Sequence, residues 1–179
     1  MTTLELFHHI RHNEDETAFN ELYENYVVKL YLFACSFLPD RETAEDIVSD
    51  VFLKVWLGRK SIDSIKNPQV YLYTAVKNGC LNYLRSVSSK KIRELNITEA
   101  YYFRLSVDPA QLLISKELHT TVINAVNKLP ARCKLIFKMV KQDDLSCNEV
   151  ANILGISNKT VYAQLSIGVK KLDQVLRKQ

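Results

Sequence analysis

Apolar side chains recur at three- and four-residue steps over long stretches of the chain, the period of an amphipathic helix. Phe19, Leu22, Tyr23, Tyr26, Val27, Leu30, Ala34 and Phe37 predict a long first helix, ended by Pro39. Ala44, Ile47, Val48, Val51, Phe52 and Val55 predict a second, opened by a Thr43-x-x-Asp46 capping pair and ended by Gly58. A polar loop follows, Arg59 to Asn67. Asn67-Pro68 reads as the N-cap and first position of a third helix running to about Arg85, with Val70, Tyr73, Val76, Cys80 and Leu84 on its core side. The period lapses over 86–108, which reads as an inter-domain linker with a transient helix around Glu99–Leu105. Asp108-Pro109 caps a fourth helix carrying Leu112, Leu113, Val122, Ile123, Val126 and Leu129. Pro130 separates it from a short helix through Leu135, Ile136 and Met139. Asp143-Asp144 is a turn, and two more helices complete the chain.

Composition supports the helical reading. Four Gly and four Pro in 179 residues are about a third of the usual share. So few breakers argue against an all-β fold, which needs many turns. A hydrophobic fraction of 47% with 25% charged residues suits a globular chain. No run approaches the length of a membrane span, so no membrane insertion is expected. The first residues hold no apolar stretch of signal-peptide length, which predicts a cytoplasmic protein. Cys35, Cys80, Cys133 and Cys147 are far apart, so a disulfide framework or zinc ribbon is not expected; reduced thiols are. His8, His9 and His12 cluster, but no Cys or carboxylate motif at ligand spacing accompanies them, so neither metal nor cofactor is predicted.

The net charge of +4 hides an asymmetry. Residues 1–46 carry 3 basic and 10 acidic side chains, whereas residues 54–85 carry 6 basic ones and a single acid, Asp63. Residues 107–179 carry 11 basic and 6 acidic. Two separate basic regions fit a polyanion touched at two places.

The strongest local signal is Leu145–Leu172. Ser146 and Glu149 form an S-x-x-E capping box. Val150, Ala151 and Leu154 make the inner face, Ala151 being small where two helices cross. Gly155 supplies the left-handed turn residue, and Ile156 plugs the turn. Ser157-x-x-Thr160 starts a second helix with Val161, Leu165 and Val169 pointing inward. This is the helix-turn-helix arrangement, whose second helix enters the major groove of DNA. Asn158, Lys159, Thr160, Tyr162, Ala163, Gln164 and Ser166 are left to face DNA, with Lys170 and Lys171 beside phosphate.

On the third helix, Tyr71, Thr74, Asn78, Asn82 and Arg85 share a stripe beside Lys77. A ring that stacks, amides that read base edges and cations that hold backbone suit unpaired bases. From this stripe alone, a polar exposed face with a packing Tyr is the better reading. The second helix shows Glu45, Asp46, Ser49, Asp50, Leu53, Lys54 and Trp56 on its outer face. That surface suits protein docking, unless Trp56 belongs to the core.

Taken together, Phe19–Tyr31, AEDIVSDVFLKVW (Ala44–Trp56), NPQVYLYTAVKNGCLNYLRS (Asn67–Ser86) and Leu145–Leu172 resemble, in order, the extracytoplasmic-function group of bacterial sigma-70 family factors. The resemblance implies an all-α protein of two small helical domains joined by a flexible linker. These are region 2 in residues 1–86, a linker in 87–108 and region 4 in 109–179. It implies that Asp46, Asp50, Phe52, Lys54 and Trp56 grip the clamp helices of the largest subunit of core RNA polymerase. It further implies that Lys60, Ser64, Lys66, Asn67, Tyr71, Thr74, Lys77, Asn78, Asn82 and Arg85 melt and read the −10 element, capturing a flipped base of the non-template strand. The Ser157–Lys171 helix would read the −35 element, with region 4 near the flap of the second subunit. The family implies an anti-sigma factor as inhibitory partner and no enzymatic activity of the chain's own. Relatives often carry Trp at the position of Tyr71, Asp at Asn82, and a basic residue at Tyr162 or Gln164.

Two other readings fit parts of the chain. A dimeric helix-turn-helix repressor would bind palindromic DNA without polymerase. A small helical metal enzyme would use His8, His9, His12 and the cysteines and would purify with metal.

Overall fold

The structure is a computed structural model that describes residues 1–13, 15–88 and 124–176. These residues are helical or in short turns, with no strand among them. The chain divides into two compact units, Met1–Leu95 and Asn96–Gln179, taken separately below. The greater part of the expected linker, the transient helix at Glu99–Leu105, the Asp108-Pro109 cap and Leu112, Leu113, Val122 and Ile123 lie outside the described residues.

The first unit opens with a helix that the apolar spacing did not announce, α1 (Thr3–Asn13). Its start is a reciprocal box: the Thr2 N–H donates to the Glu5 carboxylate (2.7 Å), and the Glu5 N–H donates to Thr2 Oγ1 (3.3 Å). Leu6, Phe7 and Ile10 are its buried residues. Helix α2 (Glu16–Ala34) is capped by Asp15, which accepts the N–H groups of Thr17 and Ala18. It stops at Ala34, three residues short of the expected Phe37. The apolar spacing misled because Phe37 and Leu38 stay buried in the turn that follows. Helix α3 (Arg41–Leu57) begins earlier than a Thr43 cap allows. Asp40 is the cap, its carboxylate accepting from both the Thr43 N–H (2.8 Å) and the Thr43 hydroxyl (2.5 Å).

Gly58 ends α3 as expected, and the expected polar loop contains a 3₁₀ helix, Arg59–Ser64, with Ile62 buried. Asn67 caps α4 (Pro68–Ser88) through its side-chain oxygen, 3.1 Å from the Val70 nitrogen. Leu72, Tyr73, Val76 and Cys80 of α4 are buried, while Val70 and Leu84 are only half-buried. The crossing of α3 and α4 is tight at Gly79, where an added Cβ would lie 2.7 Å from Ile47 Cγ2.

In the second unit, Pro130 precedes α5 (Ala131–Lys141), followed by α6 (Cys147–Leu154) and α7 (Asn158–Leu176). The Ser146–Glu149 box is formed, and Gly155 closes α6 at φ +67°. The Ser157 hydroxyl accepts the Thr160 N–H at 3.1 Å. Val161 is buried and Leu165 half-buried, but Val169 is 49% exposed, contrary to the expected inward stripe. At about 100° per residue, Gly168 and Leu172 return to the line of Val161 and Leu165, while Val169 overshoots it. Gly168 lies 3.6 Å from Leu129 through an added Cβ, and Leu172 joins Ala125, Val126, Leu129 and Cys133 in the local core.

All four cysteines are free thiols, Cys80 and Cys133 buried, Cys35 and Cys147 half-buried. Burial pushes the Cys80 thiol up to about 12 and raises those of Cys35 and Cys133. No described helix is long and apolar enough to cross a membrane.

Candidate protein and nucleic-acid interfaces

The outer face of α3 is acidic at its start and apolar at its end. Asp46, Asp50, Leu53 and Leu57 follow one another at i, i+4, i+7 and i+11, and all are exposed, as is Lys54. Leu53 and Leu57 are 53% and 69% exposed. Phe52, expected to be a contact, is only 2% exposed. Its ring packs against Phe19 (6.3 Å between centroids) and Tyr23 (4.8 Å), so it supports this face from beneath. It falls on the line of Val48 and Val55, the core side of the same helix. Trp56 is neither free nor fully buried. Its ring lies 5.0 Å from that of Phe19 and under the Arg59 guanidinium, 4.7 Å from the centroid. Leu57, Tyr23 and Arg59 also belong to this surface, although the sequence pattern puts Tyr23 in a core stripe and Arg59 at the start of a polar loop. Two leucines four apart on the polar side of an amphipathic helix were the available signal.

The stripe on α4 is assembled as its spacing predicts. Asn78, Asn82 and Arg85 are exposed, and Tyr71, Thr74 and Lys77 half-buried. Tyr71 meets Phe7 of α1 edge-on at 6.5 Å, which fixes one side of its ring. The Arg85 guanidinium donates to Asn82 Oδ1 at 3.1 Å. Burial lowers the Lys77 ammonium below its usual range, because losing water disfavours the charged form. Lys60 and Lys66 are exposed at either end of the connection before α4. Asn67 is exposed, but its oxygen is occupied by the cap. Ser64 closes the 3₁₀ helix, with its side chain outside the described part.

The start of α7 divides the expected contact set. Lys159, Tyr162, Ala163, Ser166 and Lys170 are exposed on one side, and Lys171 is exposed on a neighbouring one. Ser157 and Thr160 are engaged in the cap, their hydroxyls 2.8 Å apart. The Asn158 amide donates to Asn148 of α6, tying the two helix starts together. Gln164 is half-buried and turned toward α5, its Oε1 accepting from the Cys133 thiol at 2.8 Å. Among the described residues no three His, Cys, Asp or Glu side chains form a group that could hold a metal ion.

Comparison with known proteins gives an ordered pair of matches. The family described as Sigma-70 region 2 matches residues 22–90, and Sigma-70, region 4 matches residues 119–172. The ECF RNA polymerase sigma factor SigW of Bacillus subtilis (strain 168) is 25% identical over 170 residues, covering 91% of each chain. The ECF RNA polymerase sigma-E factor of Escherichia coli (strain K12) is 26% identical over 169 residues, covering 89% of this chain and 86% of the relative. Among solved structures, the sigma factor RpoE in complex with the anti-sigma factor NepR from Bartonella quintana aligns with a TM-score of 0.56 at 22% identity, covering 89% of this chain and 96% of that one. CnrH, solved with the cytosolic domain of CnrY, aligns at 0.54 and 20% identity over 99% of this chain and 96% of that one. These two likenesses bear on the fold.

Proposed function

The chain belongs to the sigma-70 family, in its extracytoplasmic-function group, and on that premise we propose how its surfaces direct transcription initiation. The observation that carries the reading is the order of the two matched regions along one chain, region 2 before region 4, each with a surface of fitting chemistry. Region 2 occupies 1–86 and region 4 109–179, with 87–108 as the linker. The exposed stripe Asp46, Asp50, Leu53, Lys54 and Leu57, ending at Trp56, grips the clamp helices of the largest polymerase subunit. The acids suit a basic partner, and the leucines with Trp56 provide the desolvated centre. Phe52 holds that surface in shape without touching the partner.

Lys60, Ser64, Lys66 and Asn67, with Tyr71, Thr74, Lys77, Asn78, Asn82 and Arg85, meet the −10 element. Tyr71, fixed by Phe7, offers a stacking ring; Asn78 and Asn82 offer donor and acceptor edges; the cations hold backbone. Capturing an extruded base offsets the few kcal/mol of unstacking, so strand opening needs no hydrolysis by this chain. The chain is accordingly an initiation factor without catalysis of its own, acting in the cytoplasm. Lys159, Tyr162, Ala163 and Ser166 enter the major groove of the −35 element. Ser157, Asn158 and Thr160 fix the helix start, and Lys170 and Lys171 face phosphate. Region 4 also meets the flap of the second subunit. Control by an anti-sigma factor is supported by the RpoE neighbour, which was solved with one.

Run-off transcription tests the whole reading. Purified chain, core polymerase and a panel of promoter DNA should give a discrete transcript that neither component gives alone. Tight binding to a palindrome without polymerase, and no transcript from any promoter, would favour the repressor instead.

A further inference from the structure

The end of α3 and the start of the segment leading to α4 are joined by one side chain, Arg59. Its guanidinium lies over the Trp56 ring, 4.7 Å from the centroid, while its Nη1 donates to the Trp56 carbonyl at 2.9 Å. That carbonyl belongs to the last turn of α3, beyond the regular i+4 ladder, where it also accepts from the Gly58 N–H. The same group therefore stacks on the aromatic that ends the α3 surface and caps the helix beneath it. Arg59 is also the first residue of the 3₁₀ helix, whose Ile62 is anchored in the core. The segment carrying Lys60, Ser64, Lys66 and Asn67 thus begins at two fixed points, one of them lodged on Trp56.

We propose that Arg59 is a positioning residue that couples the polymerase grip at Trp56 to the geometry of the −10 loop. This rests on the assignment of those two surfaces above. A polymerase surface that covers Trp56 removes water from the ring and its cation, which strengthens their attraction. The stack then holds Arg59, and through it the first turn of the 3₁₀ helix, in one arrangement. The coupling is reciprocal: a loop ordered by a captured base holds Trp56 ready for polymerase. A lysine cannot replace Arg59, since a point charge on a flexible stem lacks the planar stack and the directed second donor.

The test compares wild type with Arg59→Lys and Arg59→Ala, each as full chain. Fluorescence anisotropy gives affinity for core polymerase. Holoenzyme binding is then measured on fork-junction DNA whose unpaired −10 strand is intact or abasic at the captured base. Both variants should lose only a few-fold in affinity for core polymerase, from the missing stack at Trp56, while the preference for intact over abasic DNA falls about tenfold or more, the usual size of such couplings. Arg59→Lys keeps the charge and, by its thermal melt, reports whether the fold is kept. Retained preference in both variants overturns the proposal. So does a uniform loss on both DNAs, which marks a phosphate contact, or an equal loss of polymerase affinity, which makes Arg59 part of the grip. If wild-type holoenzyme itself does not distinguish the two DNAs, the −10 assignment fails and the proposal with it.

Discussion

The buried thiol of Cys133 on α5 donates to Oε1 of Gln164 on α7 at 2.8 Å. Glutamine on a recognition helix has the right chemistry to read adenine, yet this one spends its acceptor inside its own domain. Gln164→Ala should leave the −35 base preference within about twofold of wild type and lower stability by about 1 kcal/mol. Lys159→Ala should instead weaken −35 binding and reduce its salt slope by about one ion. Salt-dependent anisotropy on the two variants checks both. A changed base preference in Gln164→Ala would return that residue to the reading surface.

Gly79 is set by space. It is on a regular stretch of α4, and an added Cβ would lie 2.7 Å from Ile47 Cγ2. Gly79→Ala gains up to about 1 kcal/mol of helix propensity. It forces α3 and α4 apart at an overpacking cost of about 1–3 kcal/mol, so the net effect is destabilising. The melting temperature should fall, and adding Ile47→Ala should recover part of the loss in a double-mutant cycle.

How much of this was legible follows from the kind of signal. Local hydrogen-bonding signals were readable: Asn67-Pro68, Ser146-x-x-Glu149 and Gly155 all act as their residue types suggest. The Thr2-x-x-Glu5 box that opens α1 is of the same kind. Only Leu6, Phe7 and Ile10 follow it, too few to make a periodic stripe. Competition between two nearby caps was not readable, since Asp40 wins over Thr43 only by accepting from Thr43 itself. On the surfaces, spacing placed the α4 stripe correctly. It could not show that Gln164 turns to Cys133 or that Arg59 settles on Trp56. Those outcomes depend on side chains brought together by tertiary packing.

The Asp40 cap predicts a pH dependence. Its hydrogen bonds from the Thr43 side chain and backbone hold the carboxyl below the usual range. A depressed folded value means that the stabilisation is present above the unfolded pKa, about 3.9, and is lost as pH falls through the folded one. Asp40→Asn, which does not titrate, should therefore lose less stability than wild type on acidification below about pH 4. Thermal melts from pH 7 to pH 3 give the comparison, and parallel curves would contradict the assignment.

Thiol reactivity should follow burial. With its thiol pushed up to about 12 inside the helical core, Cys80 carries almost no thiolate at pH 8. Iodoacetamide on the folded protein should label the half-buried Cys147 first, and Cys80 only after unfolding in urea. Mass spectrometry of peptides across a urea series reads the order. Labelling of Cys80 at the rate of Cys147 without denaturant would show that α4 opens locally.

The α3 surface gives a prediction in which stability and binding separate. Leu57 is 69% exposed and packs little within its own domain, whereas Phe52 is 2% exposed between Phe19 and Tyr23. Removing an apolar side chain from water-exposed surface costs the fold almost nothing, but removing it from the desolvated centre of an interface costs more than about 1 kcal/mol of binding. Leu57→Ser should therefore keep the wild-type melting temperature and lose about tenfold in affinity for core polymerase. Phe52→Ala should lose about 3–5 kcal/mol of stability by leaving a cavity. Its polymerase affinity, measured at a temperature where it stays folded, should fall only as far as the surface above the cavity relaxes. The reverse pattern, a destabilised Leu57→Ser and a stable Phe52→Ala that no longer binds, would place Phe52 in the polymerase contact after all.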